Sequence, residues 1–274
     1  MKNVHLMTVG ISVLRNFVSS GFDPKLIEKY EMRKWIYLHP DDVEQQNIES
    51  YIGRENEVFS GILDYLNSCP EDASAELNAF YKFIALTKQK IEDIEIYMYS
   101  TDTGVGKLCS RLIYEHLKER NLAVQEPIVI KGLGRGLEFV NEGFIEIIDK
   151  VVKIIKSRRK AGDRVYVNAT GGFKPEVSFL TVAAMLAGAD IIYYTYEVFR
   201  DVVFLPCLPI TIDRKYLEAF RKIGSPIPKY QADETFQLEG LDLTELIDRG
   251  LVEEKNGKVI LREWVSKLLD EIEK

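Results

Sequence analysis

With 274 residues, 46% hydrophobic and 29% charged, the chain has the composition of an ordinary globular protein, long enough for one large α/β domain and a small appendage. Its 43 acidic side chains against 36 basic ones leave a net charge of −7, which argues against a general nucleic-acid binder and leaves room for a local basic pocket. Cys69, Cys109 and Cys207 are too few and too scattered for a disulfide framework or a thiolate metal site, which fits a reducing cytoplasm, and no apolar run reaches transmembrane length.

The first strand is expected over residues 4–11. His5 and Gly10 interrupt that run and no small-residue cleavage site follows, so it does not read as a signal segment. It leads into Gly10-Ile11-Ser12 and a helix from about residue 13, which puts Ser12 at the carboxyl end of a strand, where open α/β sheets bind ligands. A single serine there is more often a helix cap. Residues 21–89 turn to charged helical patterning over 24–34, 41–66 and 73–88, broken at Pro40 and at Cys69-Pro70, and are expected to form a helical insertion between the first two strands. Trp35, Tyr37, Phe80, Tyr81 and Phe83 are expected to pack this insertion against the sheet rather than to stack on bases; a lid over the site is equally compatible with the pattern.

Residues 94–99 alternate aliphatic and aromatic side chains and read as the second strand. Ser100-Thr101-Asp102-Thr103-Gly104-Val105-Gly106-Lys107 follows, then a helix over 108–120. This is not a P-loop: Thr101 stands where the first glycine belongs, and Leu108 replaces the hydroxyl residue that would hold Mg²⁺. What remains is a glycine-rich, lysine-bearing loop suited to phosphates. A short strand over 127–130 precedes Lys131-Gly132-Leu133-Gly134-Arg135-Gly136, which misses the dinucleotide fingerprint at Leu137. An amphipathic helix over 139–155 then runs into the basic stretch 156–160, read as a solvated helix end.

The most informative stretch is 164–176, RVYVNATGGFKPE. Val165, Tyr166 and Val167 form a short run of strand formers, too brief for a helix. Asn168, Thr170, Gly171 and Gly172 allow a sharp turn and a close backbone approach, Phe173 and Lys174 follow, and Pro175 and Glu176 suit the first turn of a helix. A strand, a glycine turn and a helix N-terminus together make an anion site, because backbone N–H groups lack partners there. Strands over 190–196 and 202–205, the second at a sheet edge, complete the pattern. Strands alternating with helices imply a Rossmann-like, mostly parallel sheet with helices on both faces, and the four interesting loops meet at its carboxyl ends.

From residue 211 the pattern shifts, and Pro226 and Pro228 mark a linker, so the expected division is 1–212 and 213–274. In the tail, a helix over 238–247 closed by Gly250, a hairpin turning at Asn256-Gly257 and a helix over 262–273 suggest a winged helix-turn-helix. Its 11 basic and 14 acidic residues from 213 to 274 give a net charge of −3, the wrong sign for duplex DNA, so it reads as a packing or dimer module.

His5, His39 and His116 are isolated and no metal-binding spacing or cofactor motif occurs. Arg111 and His116 have the Arg-x-x-x-x-His spacing of HEPN ribonucleases, yet i, i+5 spacing sets them on different faces of one helix. No histidine is placed to activate Ser12 as a nucleophile. A basic, hydroxyl-rich pocket with no obvious general base suits binding of a polyphosphate or oligonucleotide, or a reaction whose nucleophile the substrate supplies.

The Gly10-Ile11-Ser12 start, the Ser100 to Gly104 loop and above all Asn168-Ala-Thr170-Gly171-Gly172-Phe173-Lys174-Pro-Glu176 resemble the CARF domains of type III CRISPR defence systems over about residues 1–212. With the appended tail, the whole resembles their stand-alone ring nucleases. That resemblance implies a homodimer binding cyclic tetra-adenylate across its two-fold axis, with contacts from Gly10, Ile11, Thr101, Asp102, Thr103, Gly104, Lys107, Gly134, Arg135, Asn168, Thr170, Gly171, Gly172 and Phe173. It also implies metal-independent cleavage by attack of a ribose 2′-hydroxyl on the adjacent phosphate, leaving 2′,3′-cyclic phosphate ends. Lys174 matches the catalytic lysine of that group and Ser12 the serine that orients the 2′-hydroxyl. The alternatives are a sensor that binds the ring without cutting it and acts through the tail as a transcription regulator, and an effector ribonuclease, for which no separate catalytic domain is found.

Overall fold

A computed structural model describes residues 1–132, 139–172, 174–196 and 201–273. The chain begins β1 (Asn3–Val9), α1 (Ser12–Ser20), α2 (Pro24–Lys29), α3 (Met32–Trp35), α4 (Glu44–Ser50), α5 (Glu57–Ser68), α6 (Pro70–Ala73) and α7 (Ala75–Leu86). It continues through β2 (Ile94–Thr101), α8 (Gly104–Glu119), β3 (Ala123–Val124), β4 (Ile128–Ile130), α9 (Val140–Ile147), a π-helical stretch (Ile148–Val152), α10 (Lys153–Lys160), β5 (Arg164–Asn168), α11 (Lys174–Ala187), β6 (Ile191–Tyr196) and β7 (Asp201–Leu205). The chain divides into two compact units, Met1–Leu208 and Pro209–Lys274.

In the first unit the sheet runs β3-β2-β1-β5-β6-β7, with β4 also pairing β2. Every pairing is parallel except β6 with β7. Parallel strands covered on both faces need apolar side chains throughout, and β1 is buried from Val4 to Val9. Met7 and Val9 join α1, α5, α7 and α8 in one core, to which Leu108, Leu112, Ile113 and Leu117 of α8 contribute a helical stripe. Toward β6 the same face is aromatic: Phe83 of α7 stacks on Tyr193 with centroids 4.0 Å apart. On the other face Tyr99 lies against the π-helical stretch, its hydroxyl donating to the carbonyl of Lys150. Helices thus cover both faces of a Rossmann-like sheet.

The differences from the pattern-based expectation have local causes. The 24–34 and 41–66 stretches each split, the first at Glu31 in the left-handed region (φ 48°) and the second before Asn56, whose side chain accepts from the Val58 N–H at 2.9 Å. The helix expected from 108 opens at Gly104, because Thr103 caps it by accepting from the Gly106 N–H at 3.0 Å. The basic run 156–160 is not merely solvated: Arg158 pairs with Glu95 and Asp163, and Arg159 with Asp190 at 2.8 Å. Tyr37 is 85% exposed and packs nothing against the sheet, whereas Trp35, Phe80 and Phe83 are buried.

The second unit holds α12 (Arg214–Lys222), β8 (Ile227–Pro228), α13 (Lys229–Leu238), α14 (Leu243–Asp248), β9 (Val252–Lys255), β10 (Lys258–Leu261) and α15 (Glu263–Glu273). Its three strands pair antiparallel in the order β8-β10-β9, with Asn256 and Gly257 at φ 53° and 71° in the hairpin turn. The single helix expected over 238–247 is interrupted, since Gly240 takes φ 69° to end α13 and Asp242 caps α14.

Candidate functional site

The strand order reverses at β1: the chain leaves it toward β2 on one side and returns as β5 on the other. The crevice over the carboxyl ends of β1 and β5 is therefore the place where a doubly wound sheet takes a ligand. There the two strand ends touch backbone to backbone. A Cβ on Gly171 would sit 2.7 Å from the Gly10 nitrogen and 2.2 Å from Glu76 Oε1, so no side chain fits. Gly172 is exposed, at φ 113°, a conformation that favours glycine. Just beyond it α11 opens at Lys174, so backbone N–H groups of its first turn lack helical partners at this crevice. The side chain of Lys174, and Gly134, Arg135 and Phe173 altogether, lie outside the described residues.

Two clefts flank the end of β1. One, of about 470 Å³, is bounded by Gly10, Ile11, Thr101, Thr103 and Gly172 and walled by the chain from Trp35 to Pro40. Tyr37 stands at this wall with its ring largely in solvent. The other, of about 330 Å³, is polar and is lined by Ser12, Arg15, Asn16, Asn78, Thr170 and Thr195, with Glu71 and Asp72 at its acidic side. Arg15 is exposed there.

Between the clefts lies a carboxylate that the sequence pattern did not single out. Glu76, in the first turn of α7, is 1% exposed. Its Oε1 accepts from the Gly10 N–H at 2.9 Å, and its Oε2 accepts from Ser74 Oγ at 2.8 Å and from the hydroxyl of Ser12. Ser12 Oγ in turn accepts from the Ala75 N–H at 3.2 Å. Asn168 donates to the Glu76 carbonyl at 2.9 Å, and its Oδ1 accepts from the Thr170 hydroxyl at 2.6 Å. Thr170 Oγ1 accepts from the Thr195 N–H at 3.1 Å. Ser12, Asn168 and Thr170, which sequence placed at the site one by one, are thus a single hydrogen-bonded network tied to the helical insertion. Its one advance signal was an acidic residue three positions after Cys-Pro-Glu-Asp-Ala, where Ser74 opens a helix; nothing in that pattern indicates burial.

The β2 junction is built differently. A Cβ on Gly104 would lie 1.9 Å from the Gln45 carbonyl oxygen, and one on Gly106 2.1 Å from Thr101 Oγ1, so these glycines admit α4 and the strand end. Lys107 pairs with Glu49 at 3.0 Å and with Asp102 at 3.2 Å. Burial opposes its charge, yet those two bonds raise its pKa above the ordinary lysine value. Of this junction, Thr101 and Thr103 reach the larger cleft; Asp102 and Lys107 answer each other.

The histidines sit elsewhere. His5, within β1, bonds Tyr193 at 3.0 Å and Gln89 at 2.8 Å, and burial lowers its pKa to about 4. His116 bonds Tyr81 and Asn67, and burial followed by the charge of Arg120 lowers its pKa to about 3. Arg111 instead pairs with Glu126 at 2.5 Å, so the Arg-x-x-x-x-His spacing does not make a site. Among the described residues no group of three or more His, Cys, Asp and Glu side chains could hold a metal ion, and no helix is long and apolar enough to cross a membrane.

Residues 71–208 match the family described as CRISPR-associated protein (Cas_APE2256). The match takes in Glu76, both glycine junctions and the strands through β7, and begins after Gly10, Ile11 and Ser12. Covering just over half of the chain, it assigns the protein to this family: the chain is a CRISPR-associated protein of the Cas_APE2256 family.

Proposed function

We propose that this CRISPR-associated protein is a ring nuclease that binds cyclic tetra-adenylate at the β1–β5 crevice and opens it without a metal ion. The observation that carries the reading is the crevice itself: two glycine strand ends in contact, a helix N-terminus opening at Lys174, and two clefts beside them, the larger with an exposed tyrosine at its wall and the smaller lined by Ser12 and Thr170. Backbone N–H groups and a helix dipole suit a phosphate, and an exposed ring such as Tyr37 suits an adenine face. In the reaction a 2′-hydroxyl oxygen attacks the neighbouring phosphorus, the bond to the 5′-oxygen breaks, and a 2′,3′-cyclic phosphate forms. The protein's part is to hold the hydroxyl in line and to meet the charge that grows on the phosphoryl oxygens. Lys174 is assigned the second task. A ring of four like nucleotides suits a two-fold homodimer that presents each junction twice. The second unit, with its net negative charge, is read as a winged-helix-like packing or dimer module rather than a duplex binder.

A second reading, binding without cleavage, is favoured by one observation: the Ser12 hydroxyl already donates to Glu76. Calorimetric titration with cyclic adenylates of three, four and six units, run in parallel with light scattering, tests the binding half. Saturation at one cyclic tetra-adenylate per dimer is expected, and a monomer binding one ring per chain would contradict it.

A further inference from the structure

The reaction just proposed lacks a proton acceptor for the attacking hydroxyl, and the crevice holds an unused carboxylate. We propose that Glu76 acts through Ser12, orienting its hydroxyl and taking up its proton, so that Ser12 can accept the proton of the 2′-hydroxyl; this rests on the ring-cleavage reading.

Hydrogen-bond capacity decides what Ser12 can take from the cleft. A serine hydroxyl has one proton and two lone pairs. The Ser12 proton is committed to Glu76 Oε2, and one lone pair takes the Ala75 N–H at 3.2 Å. One lone pair remains, on a half-buried oxygen that lines the polar cleft. A group approaching Ser12 from that cleft must therefore donate. A ribose hydroxyl does so and a phosphate oxygen does not, so the arrangement selects the nucleophile over the electrophile. The carboxylate itself is held rigidly, by the Gly10 N–H, by Ser74 and by its own place in the first turn of α7, where a negative charge is favoured. Among the described residues no basic side chain bonds it.

In the reaction the O2′–P bond forms as the P–O5′ bond breaks. The 2′-hydroxyl proton passes to Ser12 Oγ while the Ser12 proton passes to Glu76 Oε2. The leaving 5′-oxygen takes a proton from water, and Glu76 returns its proton through Ser12 to the hydroxide so formed, leaving no net change in the protein.

The test is single-turnover cleavage of saturating cyclic tetra-adenylate by the whole chain, with ring affinity measured beside it, for wild type, Glu76→Gln, Ser12→Ala and the double variant. Glutamine keeps an oxygen for the Gly10 N–H but turns an amide donor toward Ser12, which fills its last lone pair and points its proton into the cleft. Glu76→Gln is expected to slow cleavage about 10²-fold with affinity changed by less than about threefold. Because Glu76 acts only through Ser12, the double variant should match Ser12→Ala within about twofold, a non-additivity that a merely structural role would not produce. Glu76→Gln cutting as fast as wild type, or a double variant slower by the product of both factors, overturns the inference and leaves ring cleavage standing. If Glu76→Gln does not fold, Ser12→Ala decides alone: wild-type speed there overturns the relay. A wild-type chain that cuts no ring overturns the cleavage reading and this inference together.

Discussion

The β2 and β5 junctions look alike in sequence, each a strand followed by hydroxyl residues, two glycines and a lysine, and the fold uses them in opposite ways. At β2 the glycines admit neighbouring protein atoms, and Lys107 is held by Glu49 and Asp102. At β5, Gly171 meets Gly10 while Gly172 stays exposed at the mouth of a cleft, where α11 begins. A glycine-lysine pattern therefore announces a tight turn, and only its neighbours decide whether protein closes the turn or the turn opens on a cleft. Here the deciding neighbour is the helical insertion, whose α4 closes the β2 junction and whose α7 braces the β5 junction through Glu76 and Asn168.

That contrast can be broken at either junction. The largest effect is expected at Lys174→Ala, which should slow single-turnover ring cleavage by about 10²–10³, as loss of one preorganised charge-stabilising group does; a rate equal to wild type removes the β5 junction from the chemistry. Next comes acid. His5 and His116 have folded pKa values of about 4 and about 3, below the unfolded value, so each favours folding fully above about pH 6.5. As pH falls below that value each withdraws about 1.4 kcal/mol per unit until its folded pKa is reached, which denaturant midpoints between pH 7 and pH 4 will reveal. Gly104→Ala should destabilise the fold by about 1–3 kcal/mol, because α4 must shift away from the new methyl group. A melting temperature equal to wild type would mean that the β2 glycines are not packing glycines. Tyr37→Ala should weaken ring binding by about 1–3 kcal/mol with no change in melting, since the side chain is 85% exposed. The smallest effect is expected at Lys107→Ala: under about 1 kcal/mol of stability, from a partly exposed pair, and less than tenfold in ring affinity.

Sequence pattern located the sheet well, because parallel strands buried on both faces are short apolar runs and β1, β2, β5 and β6 all have that form. It misses the short β3 altogether, since two residues carry no period. The crevice was legible for the same reason that glycine is: Gly10, Gly171 and Gly172 are read from their lack of a side chain. The network that orders it was not legible. Glu76 lies 64 residues from Ser12 in sequence, within a helix whose other residues explain it as an ordinary acidic first turn. Tyr37 reads as core in sequence because it is an aromatic residue close to Trp35, and only the turn after α3 exposes it.

The central claim is that the β5 junction opens a cyclic adenylate with the protein's own groups. Incubation of the purified chain with cyclic tetra-adenylate in excess EDTA, with products separated by chromatography and weighed, tests it most directly. A linear tetranucleotide of unchanged mass, followed by dinucleotides of half that mass ending in 2′,3′-cyclic phosphate, is the predicted result. An intact ring after many hours with saturating protein, or cleavage that EDTA abolishes, would contradict it.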